Sequence, residues 1–85
     1  MAYPEKTISS LDEITEANVT YKFPTGDKWV RIETDDLGQG DCFTIHRKMY
    51  RHQIYSFATQ GNKVHSWRTL SGAIRFIKKT YSLEV

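Results

Sequence analysis

The stretch HQIYSFATQGNKVHSWRTLSGAIRFIKKTY, residues 52–81, decides the fold. Two apolar-aromatic runs, His52–Thr59 and Lys63–Arg68, flank Gln60-Gly61-Asn62, whose turn chemistry predicts a reversal between two strands. The period then changes. Leu70, Ala73, Ile74, Ile77 and Tyr81 recur at helical spacing, which predicts a helix over Leu70–Tyr81 capped by Thr69 or Ser71. Lys78 and Lys79 suit its negative end. Gly72 costs up to about 1 kcal/mol of helix propensity, which a close approach to the sheet would explain. Ile54, Leu70, Ala73, Ile74 and Ile77 are the expected core of this unit.

Working back towards the N-terminus, Trp29–Glu33 alternates with Val30 and Ile32 on one face and Trp29, Arg31 and Glu33 on the other. Val19, Tyr21 and Phe23 alternate in the same way. Pro24-Thr25-Gly26-Asp27 between them makes a hairpin. Residues 35–41 form a break carrying two glycines and three aspartates. Strand character resumes at Cys42–Ile45. A single strand running on to Thr59 would far exceed usual strand lengths, so a turn near Lys48 is expected. At the start of the chain, Ser10 and Glu13 have capping-box spacing and predict a short helix, Ser10–Ala17. Residues 1–9 read as a flexible lead-in containing Pro4. The expected fold is therefore α+β: one domain over 10–85, an antiparallel meander of four to five strands, a short N-terminal helix and a C-terminal helix on one sheet face.

Composition agrees with a small folded globule. Eighty-five residues, 39% hydrophobic and 26% charged, bury about two-thirds of the unfolded surface. No apolar run approaches the roughly 18 residues of a membrane span, and no signal-peptide pattern opens the chain. The one cysteine, Cys42, excludes an internal disulfide framework, so a cytoplasmic setting is expected. Net charge is +2, but residues 1–45 carry −5 and residues 46–85 carry +7. Such a division hints at a polyanion-facing surface, unless the two halves pair their charges across one sheet.

Candidate functional residues follow from that division. Arg47, Lys48, Arg51, Lys63 and Arg68 interleave with Tyr50, Tyr55 and Trp67, and strand alternation puts Lys63, His65 and Trp67 on one face. Cations neutralise phosphates and aromatic rings stack on unpaired bases, so nucleic acid, DNA or RNA, is the first expected ligand of a non-enzymatic binding module. Arg75, Lys78 and Lys79 form a second basic strip on the helix. The alternative is a protein-binding regulator or inhibitor, of the kind mobile elements encode, acting through a sheet edge or a charged surface and able to pair as a homodimer. A continuously positive sheet face opposite the helix would favour nucleic acid; a mixed or apolar one would favour a protein.

Other chemistries find little support. Cys42, His46, His52 and His65 have three, five and twelve intervening residues, which is no zinc-site pattern, so no metal is expected. Asp35, Asp36 and Asp41 lack calcium-loop spacing. No cofactor motif and no catalytic motif is present. A small nuclease would need His46, His52 or His65 to converge in a cleft. The order of hairpin then helix, with Thr69-Leu70-Ser71-Gly72-Ala73 opening the helix, resembles several small sheet-plus-helix nucleic-acid modules in arrangement and in no specific motif.

Overall fold

A computed structural model describes residues 3–24, 28–34, 43–49, 54, 56–60 and 63–81. The fold is α+β: a mixed sheet carries one helix near the C-terminal end of the chain. The strands are β1 (Glu5–Thr7), β2 (Thr20–Lys22), β3 (Trp29–Thr34), β4 (Phe43–Lys48), β5 (Ser56–Phe57), β6 (Thr59–Gln60), β7 (Lys63–Val64) and β8 (Ser66–Trp67). The helix is α1 (Leu70–Thr80). In the main sheet the order is β1-β2-β3-β4-β5, with β8 also pairing β4, while β6 and β7 form a separate two-stranded ribbon.

The first correction to the expected fold lies in residues 1–9. These hold β1, which pairs parallel to β2, so the sheet is not purely antiparallel. Glu5-Lys6-Thr7 carries no apolar period. Non-local backbone bonds hold it: Thr20 N donates to the Pro4 carbonyl at 2.8 Å and Ile8 N to the Lys22 carbonyl at 3.0 Å. Ile8 then drops fully into the core. The second correction follows directly. The expected N-terminal helix is a single 3-10 turn, Leu11–Glu13. The capping box is present, with Ser10 accepting from Asp12 N and the Glu13 carboxylate accepting from Ser10 N and Ser9 N. A turn this short leaves helix nucleation unrepaid, and Ile14 departs from it in extended conformation to reach the core. Asn18, at φ 61, redirects the chain into β2, a left-handed conformation that Asn tolerates. The buried Tyr21 hydroxyl accepts from Thr15 N and Glu16 N, which ties the connecting segment down.

The β2–β3 hairpin forms as its alternation predicts, with Tyr21 opposite Val30 and Thr20 opposite Arg31. β3 and β4 make the longest ladder, from Trp29 opposite Lys48 to Thr34 opposite Phe43. β4 ends at Lys48 and β5 returns antiparallel to it, so two strands stand where one long strand was the alternative.

The stretch 52–68 differs most from expectation. Its two runs pair antiparallel beside the turn, Thr59 with Val64 and Gln60 with Lys63, and separate at Phe57 and Ser66, which both pair with β4. β5 pairs with β4 at Arg47 and His46, Ala58 N donates to the Ile45 carbonyl, and β8 continues along the same edge at Thr44 and Phe43. β6, β7 and His65 thus form an excursion from one interrupted edge strand. Their ribbon is β6–β7, closed at its base by His65 N donating to the Ala58 carbonyl. Ile54, an expected core residue, is 82% exposed because it lies before the segment that pairs with β4.

The core holds Ile8, Ile14, Tyr21, Phe23, Val30, Ile32, Ile45, Ala58, Ala73, Ile77 and Tyr81. Leu70 and Ile74 pack against it half-buried. The α1 N-cap is Thr69, whose hydroxyl accepts from Gly72 N at 3.1 Å. A Cβ on Gly72 would lie 3.0 Å from that hydroxyl and 3.5 Å from Trp67 Cδ1, so the tight neighbour is the cap, with the sheet at ordinary contact. The helix covers one sheet face. Among the described residues no helix covers the other face.

Candidate binding face

Strand register builds the open face. Glu5, Thr20, Arg31, His46 and Phe57 are successive cross-strand partners from β1 to β5. Flanking rows hold Lys22, Trp29 and Lys48 on one side and Glu33, Thr44 and Ser66 on the other. Alternation within β3 sends Val30 and Ile32 to the core, so Trp29, Arg31 and Glu33 point the other way.

Arg31 is the centre of this face. Its Nε donates to Glu33 Oε2 at 2.8 Å and its Nη1 to Thr20 Oγ1 at 2.9 Å. The guanidinium lies 4.3 Å from the Tyr3 ring centroid and 4.8 Å from that of Trp29. Such stacking leaves the in-plane donors free to bond while the faces meet aromatic rings. The Tyr3 hydroxyl donates to the second Glu33 oxygen at 3.0 Å. His46 Nε2 lies 3.2 Å from Thr44 Oγ1 and 3.5 Å from Glu33 Oε2, and the His46 ring tilts against Phe57 with centroids 4.3 Å apart. His46 is 7% exposed. Burial pushes its pKa down, Glu33 pulls it up in part, and Arg31 adds to the lowering. Lys22 pairs with Glu5 on the same face. Phe57, 39% exposed, and Tyr3, 36% exposed, leave apolar surface at the rims.

The Glu33 carboxylate already accepts from a guanidinium and a phenol, and its nearest histidine is buried beside it. A general base needs a carboxylate lone pair aimed at a substrate proton. His65 stands apart from His46: it stacks on Trp67 at 4.0 Å, and both rings meet Phe76 of α1. His52 and Cys42 fall outside the described residues. Among the described residues no three His, Cys, Asp or Glu side chains gather as a metal site.

The residues singled out from sequence are dispersed. Arg47 lies under the helix, its Nη1 donating to the Tyr81 hydroxyl at 2.7 Å. Lys48 ends β4 on the open face. Arg51 and Tyr55 lie outside the described residues. Lys63 is in β7 of the excursion, while Trp67 is in β8 of the main sheet, so alternation does not run through Lys63, His65 and Trp67 as one strand. His65 and Trp67 are half-buried against Phe76. Arg68, Arg75, Lys78 and Lys79 are exposed on or beside the helix, and Lys78 pairs with Asp12 at 3.1 Å. Cation count along the sequence points to the second half of the chain and passes over the Arg31 row. The period-2 pattern of Trp29, Arg31 and Glu33 was the available signal.

Comparison with protein families, with curated proteins and with solved structures finds no match. Among the described residues no helix is long and apolar enough to cross a membrane.

Proposed function

We propose that the chain is a small non-enzymatic binding module that docks a protein partner, a second copy included, on the helix-free sheet face. The supporting observation is the Arg31 guanidinium held between the Tyr3 and Trp29 rings, in register with the part-exposed Phe57. Tyr, Trp and Arg dominate protein-binding hot spots, where rigid rings and a fixed guanidinium lose little entropy on docking. The face is charge-mixed. Its Arg31 and Lys22 are engaged by Glu33 and Glu5, so docking leaves neither of these two cations unpaired. A phosphate backbone would meet the two carboxylates instead. Edge pairing is a weaker route, since β1 has three residues and β5 and β8 two each. Acting as a regulator or inhibitor, the module would work by covering a partner's surface in the cytoplasm, the single Cys42 suiting a reducing compartment.

Site-specific photo-crosslinking tests this reading. A photoreactive phenylalanine analogue at Phe57, expressed in the organism that encodes the chain, is expected to give one discrete protein adduct, a homodimer included. The same analogue at Ser71 on the helix is expected not to give it. Absence of a Phe57-specific adduct would remove the proposal.

A further inference from the structure

The outer surface of α1 differs in kind from the sheet face. Ser71, Arg75, Lys78, Lys79 and Thr80 are all exposed, and Arg68 precedes them exposed as well. The helix carries no acidic residue. Asp12, on the 3-10 turn, reaches Lys78 from an exposed position, so water screens that pair. Arg75 and Lys79 are one helical turn apart on the same side, about 6 Å along the axis.

From this strip we propose a second binding surface, independent of the sheet face, that holds the phosphate backbone of double-stranded nucleic acid without reading its sequence. The choice of occupant follows from what the strip lacks. Ala73 and Ile77 are buried, while Leu70, Ile74 and Phe76 pack against the core, so the apolar side of α1 is already used. A helix lying on a membrane needs a free apolar face to insert. Protein hot spots set Trp, Tyr and Arg in well-packed, desolvated pockets, whereas the cations and hydroxyls of this strip are exposed. Single strands are held largely by stacking on aromatic rings. The rings at the helix, His65, Trp67 and Phe76, pack against one another. A duplex needs none of these features. Its closely spaced phosphates reward cations through counterion release, and hydroxyls such as those of Ser71 and Thr80 serve as additional phosphate donors. Four cations of the second half, Arg68, Arg75, Lys78 and Lys79, thus stand exposed on or beside the helix, while Arg31 and Lys22 of the sheet face are paired with Glu33 and Glu5.

Fluorescence anisotropy with a mixed-sequence DNA duplex of about 24 base pairs at about 20 mM salt is the test, with a salt titration alongside. The expected result is micromolar binding with a log–log salt slope of about −3, matching roughly three phosphate contacts. Scrambling the duplex sequence leaves affinity unchanged, and a single strand of equal length binds several-fold more weakly. Arg75→Glu with Lys79→Glu is expected to weaken binding at least about tenfold. Both positions are exposed, and circular dichroism checks that the fold is retained. Phe57→Ala is expected to leave duplex binding unchanged, which separates this surface from the sheet face. The proposal is overturned by undetectable binding at low salt, by a double variant that binds as the parent does, or by equal affinity for polyglutamate of matching charge. Binding to phosphatidylserine vesicles in preference to the duplex would overturn it as well.

Discussion

Arg47 and Tyr81 join the middle of the sheet to the end of the helix. The Arg47 Nη1 donates to the Tyr81 hydroxyl at 2.7 Å, and the guanidinium carbon lies 5.5 Å from the ring centroid. Burial raises the Tyr81 pKa, offset in part by the neighbouring Arg47 charge, so the phenol stays protonated. The Arg47 Nε is buried with no hydrogen-bond partner among the described residues. Tyr81→Phe therefore removes an anchor from a cation already short of partners and is expected to cost about 1–3 kcal/mol. Arg47→Met combined with Tyr81→Phe is expected to cost less than the two single changes together, because no buried donor then loses its acceptor. Urea denaturation of all four proteins measures the cycle. Strict additivity would show that the bond does not couple strand to helix.

Ile77 and Ile54 look alike as residue types and differ in place. Ile77 is fully buried on the inner side of α1, whereas Ile54 is 82% exposed. Ile77→Ala is expected to cost about 2–5 kcal/mol through lost burial and the cavity left behind. Ile54→Ala is expected to stay within about 0.5 kcal/mol. Thermal unfolding distinguishes them, since 1 kcal/mol moves Tm by about 4–8 °C in a chain of this size. A large loss at Ile54 would return it to the core.

That contrast shows how far the sequence is legible. Local signals were sufficient where an element needs no distant partner. Helical spacing marked Ala73 and Ile77, alternation marked Tyr21, Val30 and Ile32, and capping chemistry marked Ser10 with Glu13. What was illegible is pairing that no local pattern encodes. Glu5-Lys6-Thr7 becomes a strand because Pro4 and Ile8 bond β2, far along the chain. The edge strand is interrupted because the Ala58 amide and Ser66 bond β4, while the Ala58 carbonyl turns to His65. Lys63 falls in β7 and Trp67 in β8, so the alternation that grouped Lys63, His65 and Trp67 does not run through a single strand, although the His65 and Trp67 rings stack on each other. The open-face row needed register across five strands before Arg31, His46 and Phe57 became neighbours.

His46 makes stability depend on pH in a defined direction. Its folded-state pKa lies below the ordinary value of 6.5, first through burial, then through Arg31, with Glu33 opposing. The unfolded chain takes up a proton near pH 6.5, while the folded chain resists it. The stabilisation is therefore fully present above about pH 6.5 and is lost as pH falls through the folded-state value. Tm is expected to drop between about pH 7.5 and about pH 5.5. His46→Gln, uncharged throughout, is expected to flatten that part of the profile. An equal slope in the variant would assign the dependence to other groups.

Arg31 tests whether the open face is fixed by its guanidinium. Glu33 and Thr20 lie on different sides of that group, at 2.8 and 2.9 Å, while Tyr3 and Trp29 stack on it. A lysine keeps the charge but carries one ammonium on a flexible stem. It cannot meet both acceptors while presenting a flat surface to the rings. Arg31→Lys is therefore expected to cost about 1–2 kcal/mol, from a lost charge-assisted hydrogen bond and weaker ring stacking. Urea denaturation reads the loss, and the emission of Trp29 in a Trp67→Phe background reads the loosening of its ring. The Phe57 crosslink expected at this face should weaken in parallel, because its neighbour His46 also faces Glu33. A lysine variant as stable as the parent, with unchanged Trp29 emission, would mean that strand register and ring packing hold the row without the guanidinium.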